Sequence, residues 1–180
     1  MSHETSERLY KFLAPGGVGP YSGHRWPLPT LAGDGAWTPG AWVRVEGKLD
    51  PCRVGLHACR EADTPPWIAA ECYALEYRGE RVDTDGKVVL RQARLTRRYT
   101  AWDERAMRLF AADCAERALP LYEAACPGDD RPRAAIETAR AFARDEATEA
   151  ELLAAEAAAG AAERAWQGAR LVAYLEGGAA

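Results

Sequence analysis

Cys72 to Tyr99 reads CYALEYRGERVDTDGKVVLRQARLTRRY. In its opening residues Tyr73, Leu75 and Tyr77 fall on one side and Ala74, Glu76 and Arg78 on the other. That two-residue period marks a strand with unlike faces. Asp85-Gly86 is the hairpin signal, because a two-residue turn needs a positive φ that glycine takes freely. Lys87 to Leu90 returns alongside, and Ala93 to Tyr99 extends the sheet. An antiparallel sheet is therefore expected here, and it decides the class of the first hundred residues.

Towards the N-terminus, Leu9 to Leu13 (LYKFL) reads as a first strand closed by Pro15-Gly16-Gly17. Residues 16–40, GGVGPYSGHRWPLPTLAGDGAWTPG, hold too much glycine and proline for a regular element. A long loop is expected, with Tyr21, Trp26 and Trp37 packed onto a core. Ala41 to Gly47 alternates as a strand does, and Gly55 to Cys59 reads as a short one. Asp63-Thr64 before Pro65-Pro66 is a helix start, which predicts a short helix over Trp67 to Glu71.

Beyond Thr100 the composition changes. Eight of eleven prolines lie at or before Pro66, eleven of sixteen glycines at or before Gly86, and the last eighty residues are rich in alanine. A β-rich part (1–100) followed by a helical part (101–180) gives an α+β chain, the helical part packed on the first as one unit or standing apart. Met107, Phe110, Cys114 and Leu121 recur at helical steps, with an interruption expected at Pro120. Residues 126–130 form a loop, and Pro132 suits the first turn of a second helix whose inner face is Ile136, Ala139, Phe142 and Ala143. Thr148 and Glu151 match a capping box, opening a third helix that runs to about Leu175 with Trp166, Leu171 and Tyr174 as bulky anchors.

Charge and composition exclude some functions. The net charge is −4 with no basic block, so a phosphate-tracking nucleic-acid surface is not expected. No apolar run approaches the roughly 20 residues of a membrane helix, and the first residues lack the order of a signal peptide. Five irregularly spaced cysteines argue for reduced thiols and a cytoplasmic location. Charge is uneven, with 14 basic and 12 acidic side chains in residues 1–100 against 9 and 15 in residues 101–180. The acidic helices therefore suit a basic protein partner. The oligomeric state is not legible. Arginine outnumbers lysine 20 to 3, a coding bias first of all.

The stretch with most chemistry is DPCRVGLHACREADTPPW, Asp50 to Trp67. On a strand, His57 and Cys59 project to one face. Cys52, His57 and Cys59 offer soft ligands for zinc, with Cys72 or His24 able to complete a set of four, although the spacing matches no standard zinc module. His57 and Cys59 could equally form a base and thiolate pair in a pocket under the loop, where Tyr21, His24, Trp26 and Trp37 would bind substrate. The plainest alternative makes both cysteines small buried residues and His57 a hydrogen-bonded core position.

Two stretches resemble known groups. YKFL (10–13), CRVGLHAC (52–59), ALEYRGE (74–80) and Lys87 resemble a group of bacterial and phage-associated proteins sharing a Cys-x-x-Gly-x-His-x-Cys segment between strands. That resemblance spans residues 10–99 and implies no particular activity. DDRPRAAIETARAFARDEATEAELLAAEAAAGAAERAW (129–166) is similar to the helix pairs of immunity proteins in bacterial toxin systems, with Asp145 where a glycine is expected between the helices. It implies a toxin-neutralising or phage-conflict role. The function expected from the whole sequence is a binding module, with a small Cys/His enzyme or a zinc-stabilised domain as alternatives.

Overall fold

Strand β6 (Glu71–Thr84) and strand β7 (Lys87–Arg98) form one long hairpin around which the first unit is built. Thr84 pairs with Lys87, and Gly86 takes φ +75° at the turn. The computed structural model describes residues 7–175, and the chain divides into two compact units, Met1–Asp103 and Glu104–Ala180. The first is an antiparallel sheet and the second three helices, so the class is α+β.

Strand β1 (Leu9–Leu13) lines the outer edge of β6, with Phe12 opposite Cys72. On the far edge, β7 pairs first with β5 (Leu56–Ala58) and then with β4 (Val43–Arg44). One further pair of bonds changes the topology. Tyr10 N–H donates to Cys59 O at 2.9 Å, and Cys59 N–H donates to Tyr10 O at 3.0 Å. Strand β1 therefore touches β6 on one side and the end of β5 on the other, and the ring β1-β6-β7-β5 closes on itself. Closure covers the edges of β1 and β5 that would otherwise invite pairing with other chains, while β4 remains an edge strand. Register shifts at Ala74/Leu75 and between Arg78 and Arg81 supply the extra bend.

The alternation read from the sequence holds over Tyr73, Ala74 and Leu75, whereas Tyr77 is exposed and Val88, Val89 and Leu90 are buried in succession. Leu13, Tyr73, Leu75, Val88, Leu90 and Leu95 are buried inside, each such aliphatic worth about 1.5–3 kcal/mol. Trp26, the aromatic of the long loop that is buried, joins them. That loop is not wholly irregular, because β2 (Thr30–Leu31) and β3 (Trp37–Thr38) form a small ladder. The strand expected over 41–47 shrinks to two residues. The helix expected over 67–71 is replaced by 3-10 turns at Glu61–Asp63 and Pro65–Trp67, and Glu71 already belongs to β6. Two adjacent prolines remove two backbone donors, and Ile68 at ψ 129° leaves helical space at once.

In the second unit, α1 (Glu104–Ala125), α2 (Arg131–Ala143) and α3 (Glu149–Leu175) follow one another through short loops. Helix α1 runs through Pro120 without the expected interruption. Its buried residues are Ala112 and Leu119, while Phe110 and Leu121 are exposed. Ala112 and Leu119 pack with Ile136 of the neighbouring helix. Ile136 and Ala143 are buried on α2 as expected. Helix α3 opens with the expected reciprocal cap: Thr148 N–H donates to Glu151 Oε2 at 2.7 Å, and Glu151 N–H donates to Thr148 Oγ1 at 3.3 Å. The side chains of Trp166, Leu171 and Tyr174 lie outside the described residues.

Candidate functional site

Strand β5 and the turn before it carry the chemistry of the first unit. Asp50 and Val54 bond each other's backbone across a tight turn, which drives Cys52 to φ +70°. The backbone N–H of Cys52 donates to His57 Nε2 at 3.2 Å. Neutral His57 therefore carries its proton on Nδ1. Burial, followed by the charges of Lys11 and Lys87, holds this imidazole below its ordinary pKa. His57 is thus a neutral acceptor at pH 7.

Two lysines converge on the same place. Lys11 Nζ donates to the His57 carbonyl at 2.7 Å and lies 5.4 Å from the centre of the Trp26 ring. Burial pushes its ammonium down to about 8. Lys87, first residue of β7, sends Nζ to Cys52 Sγ at 2.6 Å. Both lysines border a cavity of about 590 Å³ with Tyr21, Cys52, His57 and Trp67.

Of the residues expected to bind, Tyr21 reaches this cavity wall. Trp26 is buried in the core with the His24 ring edge-on against it at 5.8 Å, and Trp37 is half-buried in β3. Cys59 follows β5, and its Sγ donates to Tyr10 O at 3.4 Å. Burial pushes the Cys59 thiol up to about 11 and that of Cys72 to about 12. Both are protonated at neutral pH, so neither is an activated nucleophile. Among the described residues, no three His, Cys, Asp or Glu side chains gather where they could share a metal ion. Lys11, Lys87 and Trp67 were not singled out from the sequence as site residues. The sequence carried one signal towards them, the rarity of lysine, three against 20 arginines.

Glu71 anchors the start of the loop that carries Tyr21. Its buried carboxylate accepts from Gly17 N–H at 3.0 Å, from Gly16 N–H at 3.3 Å and from Tyr73 Oη at 2.9 Å. It thereby ties the loop carrying Tyr21 to the first residue of β6.

In the helical unit the notable chemistry is charge. Arg140 of α2 binds Asp113 at 2.6 Å and Glu116 at 2.7 Å, both on α1, and Arg133 binds Glu123 at 2.6 Å. The Arg140 guanidinium holds the Glu116 carboxyl below its usual range. Helix α1 therefore spends its acids on α2. Glu137 on α2, and Glu149 and Glu156 on α3, are exposed and make no ion pair among the described residues. Glu149 and Glu156 stand seven residues apart, close to two turns, on one face of α3.

No helix among the described residues is long and apolar enough to cross a membrane. Against known families, residues 97–176 match the one described as Imm-5 like putative immunity protein. The matched stretch takes in the end of β7 and all three helices, less than half of the chain. No curated protein matches, and no solved structure does.

Proposed function

We propose that the chain is a non-catalytic interaction module whose helical unit binds and neutralises a basic protein, as an immunity protein does its toxin. The similarity of residues 97–176 to an immunity family carries this reading. The charge arrangement supports it. Acids of α1 are compensated within the unit, whereas Glu137, Glu149 and Glu156 offer free negative charge to a partner. Carboxylates of this kind accelerate encounter and select partners by sign more than they add affinity.

The test uses the full chain as bait in a bacterial lysate, followed by purification of what it captures and binding measurements on the purified pair. Affinity for a basic partner should fall at least tenfold between about 50 and 500 mM salt, because screening shortens the range of the interaction. The double variant Glu149→Gln, Glu156→Gln should slow association several-fold and flatten the salt dependence. A complex indifferent to both salt and these substitutions would overturn the acidic-face reading.

A further inference from the structure

The cavity in the sheet unit has a sign and a shape of its own. Its walls carry two ammonium groups, Lys11 and Lys87, and no carboxylate. That is unusual on a chain with net charge −4. Neither lysine has an acidic partner within ion-pair distance among the described residues; Lys11 is bonded to a carbonyl and Lys87 to a thiol. A desolvated cation is ordinarily paired; Lys11 is desolvated and Lys87 half-exposed beside it, so the two unpaired ammonium groups at one cavity leave a negative charge to be supplied from outside.

The choice of cation points the same way. With 20 arginines and 3 lysines, this chain supplies positive charge as guanidinium almost everywhere. Lysine's compact, strongly hydrated ammonium differs from arginine's planar fork, and it fits where a single point charge must meet an anion in little space. Beside the cations stands an aromatic corner. The rings of Tyr21 and Trp67 meet at 90° with centroids 6.0 Å apart, and Lys87 Nζ is 5.8 Å from the centre of Trp67. Trp67 is fixed by its indole N–H, which donates to Gly86 O at 2.8 Å. Cys52, at the cavity wall, is held in left-handed backbone space, a strain that folds retain most often at functional sites. A volume of about 590 Å³ lies within the range of small-molecule pockets.

We infer that this cavity binds a small aromatic anion, its carboxylate or phosphate on Lys11 and Lys87 and its ring in the corner between Tyr21 and Trp67. All of its lining residues belong to the sheet unit.

Calorimetric titration of the full chain with phenyl phosphate, benzoate and the neutral benzyl alcohol tests this. Saturable one-to-one binding of either anion, with benzyl alcohol at least tenfold weaker, is the expected result, and the anion preferred names the charged group. Lys87→Met should weaken the anion at least tenfold while Lys87→Arg weakens it less. Tyr21→Ala, a change at a side chain 79% exposed and so harmless to folding, should weaken ring binding several-fold. Circular dichroism confirms that each variant is folded. No saturable binding of either anion, equal binding of benzyl alcohol, or anion affinity unchanged in folded Lys87→Met would each overturn the inference.

Discussion

Asp145 sits at φ +61° between α2 and α3, where the resemblance to immunity proteins leads one to expect glycine. Its N–H donates to Phe142 O at 3.0 Å and that of Glu146 to Ala141 O at 2.9 Å, the paired bonds of a Schellman cap. The geometry that wants glycine is present, and an aspartate occupies it. Asp145→Gly should therefore stabilise the helical unit by about 0.5–1 kcal/mol, read as a higher urea midpoint with an unchanged slope. A lower midpoint would mean that the aspartate side chain compensates for its backbone strain. Lys11 gives a second prediction at this scale. Below pH 8 its ammonium is charged in the folded and unfolded chain alike, so the cost of burying it is fully present. Between about 8 and the 10.5 of an unperturbed lysine, the folded chain sheds the proton first. Stability should rise with pH across that window relative to Lys11→Met, which has no such group. The Cys59 and Cys72 thiols, pushed up by burial, act in the opposite direction; Cys72 cancels in the difference, while Cys59, which loses the charge of Lys11 beside it, is pushed up further in Lys11→Met and adds to the same contrast. A difference that stays flat from pH 7 to 9.5 would show that Lys11 is not desolvated.

At the scale of elements, the sequence was most legible where one local rule dominates. The Asp85-Gly86 turn, the LYKFL strand and the Thr148/Glu151 cap follow from backbone chemistry within a few residues, and all three stand as read. It was least legible where packing decides. On α1 the large side chains Phe110 and Leu121 suggested the inner face, yet Ala112 and Leu119 are the buried ones, packed with Ile136 of α2. Pro120 was expected to break that helix, but α1 absorbs the missing donor and the acids on either side remain bound to Arg140 and Arg133. The cap supplies the test for this scale. Thr148→Ala removes the hydroxyl that accepts from Glu151 N–H and should cost about 1 kcal/mol, with helical signal lost first from the start of α3. An unchanged midpoint would mean that Glu151 alone holds the helix start.

At the scale of the whole molecule, α+β was readable because period and composition change together near residue 100. Closure of the sheet was not, since its bonds, the Tyr10–Cys59 backbone pair with Cys59 Sγ to Tyr10 O and Lys11 Nζ to His57 O, join segments nearly fifty residues apart. The cavity was hidden for a related reason: Lys11, Cys52, Trp67 and Lys87 come from four separate segments that meet when the ring closes. The free acids of α2 and α3 were visible as an excess of charge, but which acids stay free depends on Arg133 and Arg140 taking the others. The central claim is that the helical unit neutralises a basic toxic protein, and growth rescue measures it most directly. The protein captured by the full chain would be expressed in bacteria alone, with the chain, and with its Glu149→Gln, Glu156→Gln variant. The account predicts arrested growth alone, full growth with the chain and partial growth with the variant. Growth still arrested beside a well-expressed, folded chain, or a captured protein that harms no cell, would contradict it.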